Sequence, residues 1–89
     1  MKQSKSEFLE SIGQLPPPEK AAAVVHRVYM LTASRTGWPT RTPETWAELD
    51  DQARAYNVES IHTWIEEREL FAEFVDAIAE ARLGAKKER

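Results

Sequence analysis

The side chains able to do chemistry are few and scattered. His26 and His62 are the only two histidines, and there is no cysteine. A zinc site needs three or four converging ligands. No His-x-x-x-His pair and no glycine-rich phosphate loop is present. Both histidines therefore read as surface or rim residues, with no metal and no cofactor expected. Carboxylates are abundant, but Glu59, Glu66, Glu67, Glu69 and Glu73 crowd one stretch. They read as the solvated face of an acidic helix rather than as an acid–base pair. No nucleophile–base motif accompanies them, so a non-enzymatic protein is expected.

Charge is segregated along the chain. The net charge of −3 is made of unlike segments. Residues 17–44 carry Lys20, Arg27, Arg35 and Arg41 against Glu19 and Glu44. Residues 45–83 carry ten acids against Arg54, Arg68 and Arg82. The end of the chain turns basic again with Lys86, Lys87 and Arg89. Phosphate attraction supplies most DNA affinity, so a duplex would be met by the first basic segment. The acidic segment suits a basic protein surface instead.

The elements that must carry these groups are helical. With 89 residues, one domain is expected. Three Trp, three Phe and two Tyr can supply much of its core. No apolar run is long enough to span a membrane, and a cysteine-free chain fits a cytoplasmic location. An all-α domain of four to five short helices is expected, divided into residues 1–16, 17–83 and 84–89. Ser4 and Glu7 have capping-box spacing at the start of an N-terminal helix. Pro16-Pro17-Pro18 then form a stiff spacer. A helix over about 18–33 follows, whose stripe of Ala21, Val24, Val25, Val28, Leu31 and Thr32 is expected to face the core. The irregular segment after it is expected to fold Trp38 back over a core edge. Thr42-Pro43-Glu44 reads as N-cap, first-turn proline and acid, opening a helix over 43–56. Asn57 is expected to end it in a left-handed conformation. Helices over 58–67 and 69–83 complete the domain, as one long helix or as two with a break near Glu67–Leu70. The basic tail 84–89 is expected to fray.

Three stretches, Trp46-Ala47-Glu48-Leu49, Tyr56 to Trp64, and Leu70-Phe71-Ala72-Glu73-Phe74, stand out together. They resemble the helix-turn-helix, homeodomain-like modules of phage small terminase subunits and related transposase and phage regulators. The resemblance covers roughly residues 43 to 82. It implies a tri-helical unit in the C-terminal half and double-stranded DNA as partner, in phage DNA packaging or regulation. Ser60, His62 and Thr63 would then reach base edges. Lys20, Arg27, Arg35, Arg41 and Arg54 would hold phosphates. A self-association that multiplies weak contacts also follows from the resemblance. Here, however, the turn-to-Trp spacing is two residues short of that pattern, and residues 59–67 carry three Glu and no Lys or Arg.

A second expectation comes from that acidity. A small helical adaptor or inhibitor would dock Glu59, Glu66, Glu67, Glu69 and Glu73 onto a basic partner, with Trp38 as an exposed anchor. The apolar residues Phe71, Phe74, Val75 and Ile78 could serve an oligomer or close the chain's own core.

Overall fold

The computed structural model describes residues 4–87, the last three of them by backbone alone. It is an all-α fold. Helix α1 spans Lys5–Ile12, α2 Pro17–Thr36, α3 Asp51–Glu66 and α4 Arg68–Lys87, with a 3₁₀ turn at Trp46–Glu48. No strand occurs among the described residues.

Local chemistry sets most of the helix ends. Glu7 N–H donates to Ser4 Oγ at 3.1 Å, and Ser4 N–H donates to Glu7 Oε1 at 2.9 Å. This reciprocal box holds the Glu7 carboxyl below its usual range through its bonds to the Ser4 backbone and hydroxyl. Pro16 caps α2 and prolines occupy its first turn, where a missing N–H costs no helical bond. Gly37 ends α2 at φ 71°, a left-handed C-cap that glycine adopts without a Cβ clash. Trp38 N–H follows it back to the Ala33 carbonyl at 3.0 Å.

The start of α3 differs from the expected Thr42-Pro43-Glu44 opening. His26 is buried on α2, and its Nε2–H donates to the Pro43 carbonyl at 3.0 Å. That bond ties down the segment where a helix was expected. Thr45 and Glu48 instead form a capping box around the 3₁₀ turn. The Glu48 carboxyl is held below its usual range by the Thr45 hydroxyl and backbone N–H. Leu49 is extended, and Asp50 caps α3 by accepting from Ala53 N–H at 2.8 Å.

Helix α3 also runs through the expected turn. Asn57 is helical and donates its side-chain amide to the Ala53 carbonyl at 2.8 Å. No non-glycine residue described has positive φ. With α-helical partners on both sides and no proline or glycine nearby, nothing forces a stop there. Residues 43–56 and 58–67 are therefore not two helices. The break near Glu67 does occur: Glu67 leaves the helix at ψ 67° while its N–H still reaches the Thr63 carbonyl. The tail is helical through Lys87 rather than frayed from residue 84. Residues 1–3 and 88–89 lie outside the described residues.

The core is small and off-centre. Phe8 and Ile12 of α1, Ala22 and Ala23 of α2, and Trp46 and Leu49 of the 3₁₀ segment are buried together. Leu15, Ala53, Val58 and Ile61 pack against them. Ala22 and Ala23 have no exposed surface, so the small side chains admit close neighbours that a larger residue would displace. Arg27 lies over the Phe8 ring, 4.7 Å from its centroid. Trp46 meets His26 edge-on at 6.3 Å between ring centroids.

The buried face of α2 is therefore Ala22, Ala23, His26 and Ala33. The stripe expected to face the core points the other way. Val24, Val25, Val28 and Leu31 are exposed, Val28 by 57%. Alanines packed against bulky Trp46, Phe8 and Ile12 fill the space that valines would overfill. The radius of gyration is 14.8 Å, against about 12 Å for a compact chain of this length. Helix α4 lies outside the core.

Candidate interaction surface

Helix α4 is amphipathic, yet its apolar side meets little of the chain. Phe71, Phe74, Val75 and Ile78 recur at spacings of three and four, which puts them on one face. Each is about half exposed, Phe71 by 51% and Ile78 by 50%. They do not close the chain's own core. Trp64, in the last turns of α3, is their one substantial anchor. Its ring centroid lies 5.4 Å from Phe74 and 6.4 Å from Phe71.

Acidic groups lie around the start of α4, with Glu69 and Glu73 on the side of that helix opposite its apolar face. Glu59, Glu66, Glu67, Glu69 and Glu73 are all exposed, near the α3–α4 junction or in the first turns of α4. Tyr56, Glu59, Ser60, Thr63, Trp64, Glu67 and Leu70 line an open groove there. Its lining combines the aromatic rings of Tyr56 and Trp64 with the carboxylates of Glu59 and Glu67. Among the described residues no lysine or arginine forms an ion pair with these five glutamates.

The residues expected to meet DNA are distributed differently. Lys20 and Arg35 are exposed near opposite ends of α2, while Arg27 is half-buried against Phe8. Arg41 is exposed in the segment before the 3₁₀ turn. Arg54 is engaged with its own neighbourhood, bridging to Asp51 and donating to the Ala47 carbonyl at 3.1 Å. Ser60 and Thr63 sit in the second half of the continuous helix α3, not on a separate recognition helix. Their hydroxyls donate to the Tyr56 and Glu59 carbonyls at 3.1 Å. His62 is exposed on the same helix. The structure thus gathers the acidic set around one junction and leaves the basic set spread along α2 and its following segment.

Trp38 is 71% exposed and does not cover a core edge. It borders a cleft of about 380 Å³ with Phe8, Met30, Leu31 and Trp46 among its walls. The histidine reading is corrected at one site: His62 is exposed, but His26 is buried and structural. Its signal in the sequence was weak, since His26 stands among alanines and valines that gave no partner.

The exposed face of α2 was missed as a surface because its periodicity looked like a core stripe. Two helices of 20 residues each therefore carry uncovered apolar faces, α2 and α4. Contiguous exposed apolar patches of that kind mark interaction sites on small soluble domains. Among the described residues no helix is long and apolar enough to cross a membrane. Comparison with protein-family models, with curated proteins and with solved structures finds no match for this chain.

Proposed function

We propose that this chain is a non-enzymatic protein-docking module that presents the apolar face of α4, with the Glu59 and Glu67 groove at its start, to an apolar protein surface with a basic edge. The observation that carries this reading is the exposure of Phe71, Phe74, Val75 and Ile78 along one side of a helix held to its neighbour chiefly through Trp64. An isolated helix is marginal in water and gains most of its stability from packing its amphipathic face. A half-exposed face of this size is a docking surface in search of a partner. Glu59 and Glu67 in the groove beside Trp64 then disfavour an acidic partner at that end, since like charge across an interface is costly.

Double-stranded DNA has less geometric support. The Ser60 and Thr63 hydroxyls are already bonded within α3, and Glu59 and Glu66 share that helix. Carboxylates near a duplex backbone oppose the attraction on which affinity depends.

A photo-reactive side chain at position 74 of the full chain, activated in cells, separates the two readings. Protein docking gives a protease-sensitive cross-linked product that is lost when Ile78→Glu is added. A product sensitive only to nuclease, or no product at all, removes the reading.

A further inference from the structure

We infer that the cleft between α2 and the segment leading into the 3₁₀ turn binds a small, neutral, flat aromatic molecule that carries a hydrogen-bond acceptor. This site is separate from α4 and does not depend on the docking of that helix.

The cleft is held open by bonds that the chain makes on its own. Helix α2 supplies Met30, Leu31 and Ala33 to its walls, and the residues that follow supply Trp38, Thr40 and Trp46. Gly37 turns the chain at φ 71°, and Trp38 N–H then donates to the Ala33 carbonyl at 3.0 Å. Further on, the Tyr29 and Thr40 hydroxyls are hydrogen-bonded at 3.2 Å, and Thr42 N–H donates to Thr40 Oγ1 at 3.1 Å. His26 holds the Pro43 carbonyl from α2. The volume of about 380 Å³ lies in the range of sites that take small molecules.

A buried donor in the wall points to the ligand. Trp46 is only 8% exposed. Its Nε1–H is the one buried side-chain polar group without a hydrogen-bond partner among the described residues. A buried indole N–H usually finds a partner, and leaving one unmet is costly. A molecule that brings an acceptor into the cleft beside Trp46 relieves that cost on binding. A covered donor needs a wall that gives, and Met30 is among the walls. Its unbranched thioether side chain changes rotamer readily.

The remaining walls select the rest of the molecule. The rings of Phe8, His26, Trp38 and Trp46 all line the cleft, and they favour an aromatic guest, stacked or edge-on. Trp38 is 71% exposed, so a flat ring laid against it buries apolar area that now faces water. Arg27 and Glu44 both line the cleft. One cation and one anion balance, which gives no net field to select an ion.

The chain's three tryptophans supply three indole N–H signals for the test. Quinoline is flat, neutral at neutral pH and accepts a hydrogen bond at its ring nitrogen. Naphthalene has the same outline and no such acceptor. Each is titrated into the full, isotope-labelled chain and followed by nitrogen–proton correlation spectra. Quinoline is expected to bind saturably, to move the Trp46 indole proton downfield as a new hydrogen bond does, to move the Trp38 signal with it, and to leave Trp64 in place. Naphthalene should leave the Trp46 proton where it is. Trp38→Ala changes an exposed residue and should weaken quinoline binding roughly fivefold through the lost ring contact. A Trp46 proton that quinoline does not move, or that naphthalene moves equally, would overturn the inference. So would a Trp64 signal that moves as far as that of Trp46, or an affinity that Trp38→Ala leaves unchanged.

Discussion

The Trp64 ring sits 5.4 Å from the Phe74 ring, tilted by 39°, and this contact across the Glu67 break sets where α4 points. Aromatic pairs of this kind contribute about 1 kcal/mol beyond the area they bury. Trp64→Ala is expected to loosen α4 while leaving the core of Phe8, Ile12, Trp46 and Leu49 intact. Backbone amide exchange should accelerate in residues 68–80 and stay unchanged in α2. Equal acceleration in both helices would mean that Trp64 supports the core itself.

The two faces of α2 should respond oppositely to substitution. Ala23 has no exposed surface, so Ala23→Leu forces an overpacked core and is expected to cost about 1–3 kcal/mol. Val28→Ala, on the exposed face, should change the stability of the dilute chain by less than about 0.5 kcal/mol. Urea midpoints measured at low protein concentration check both. A large loss from Val28→Ala under those conditions would restore the valine stripe to the core.

His26 and Pro43 are seventeen residues apart and joined by one hydrogen bond. His26→Ala removes that bond and opens a gap beside Trp46. A loss of about 2 kcal/mol is expected from the bond and the cavity together. The indole fluorescence of the 43–49 segment should shift as it loosens. His26→Gln, which keeps a donor of similar reach, should lose less; an equal loss would mean that ring packing alone matters.

The left-handed cap at Gly37 has open space around its Cα. Gly37→Ala therefore meets no clash with neighbours, only the backbone cost of positive φ, about 1 kcal/mol. Gly37→Asn should recover part of it, since Asn tolerates that conformation. Thermal denaturation of the three proteins orders them.

The lowered carboxyls of Glu7 and Glu48 fix the sign of a pH effect. Each ionises more readily in the folded chain than in the unfolded one. The stability they contribute is present above the ordinary carboxylate range and is lost as pH falls through their lowered values. Acidification should therefore loosen α1 and the 3₁₀ turn. Carboxyl chemical shifts followed from pH 6 downward should place both titrations below the ordinary carboxylate range. Glu48→Gln should flatten the response at the turn and leave that of α1 unchanged.

Local signals in the sequence proved readable where they act over three or four residues. The Ser4–Glu7 box and the proline opening of α2 are of this kind; the break at Glu67 was one of two alternatives, and α2 runs three residues past its expected end, to the Gly37 cap. The all-helical architecture followed from the same periodicity. Longer-range competition was not readable. Thr42-Pro43-Glu44 is a sound helix opening in isolation, but the buried His26 holds Pro43 from another helix. Asn57 tolerates a left-handed turn, but an uninterrupted α3 gives it a helical carbonyl to bond instead. The α2 stripe was correctly found as apolar and assigned to the wrong side. Periodicity identifies a face, not what covers it, and the smaller alanine face fits beneath Trp46. The five glutamates lie exposed around the α3–α4 junction, while Lys20, Arg27, Arg35 and Arg41 stay spread along α2 and the segment after it.

Photo-cross-linking from position 74 of the full chain, compared with a probe at position 73 on the opposite side of α4, tests the docking of this helix most directly. The account predicts a protease-sensitive product from position 74 that Ile78→Glu removes, and little from position 73. Equal products from both positions, or none from either, would contradict it.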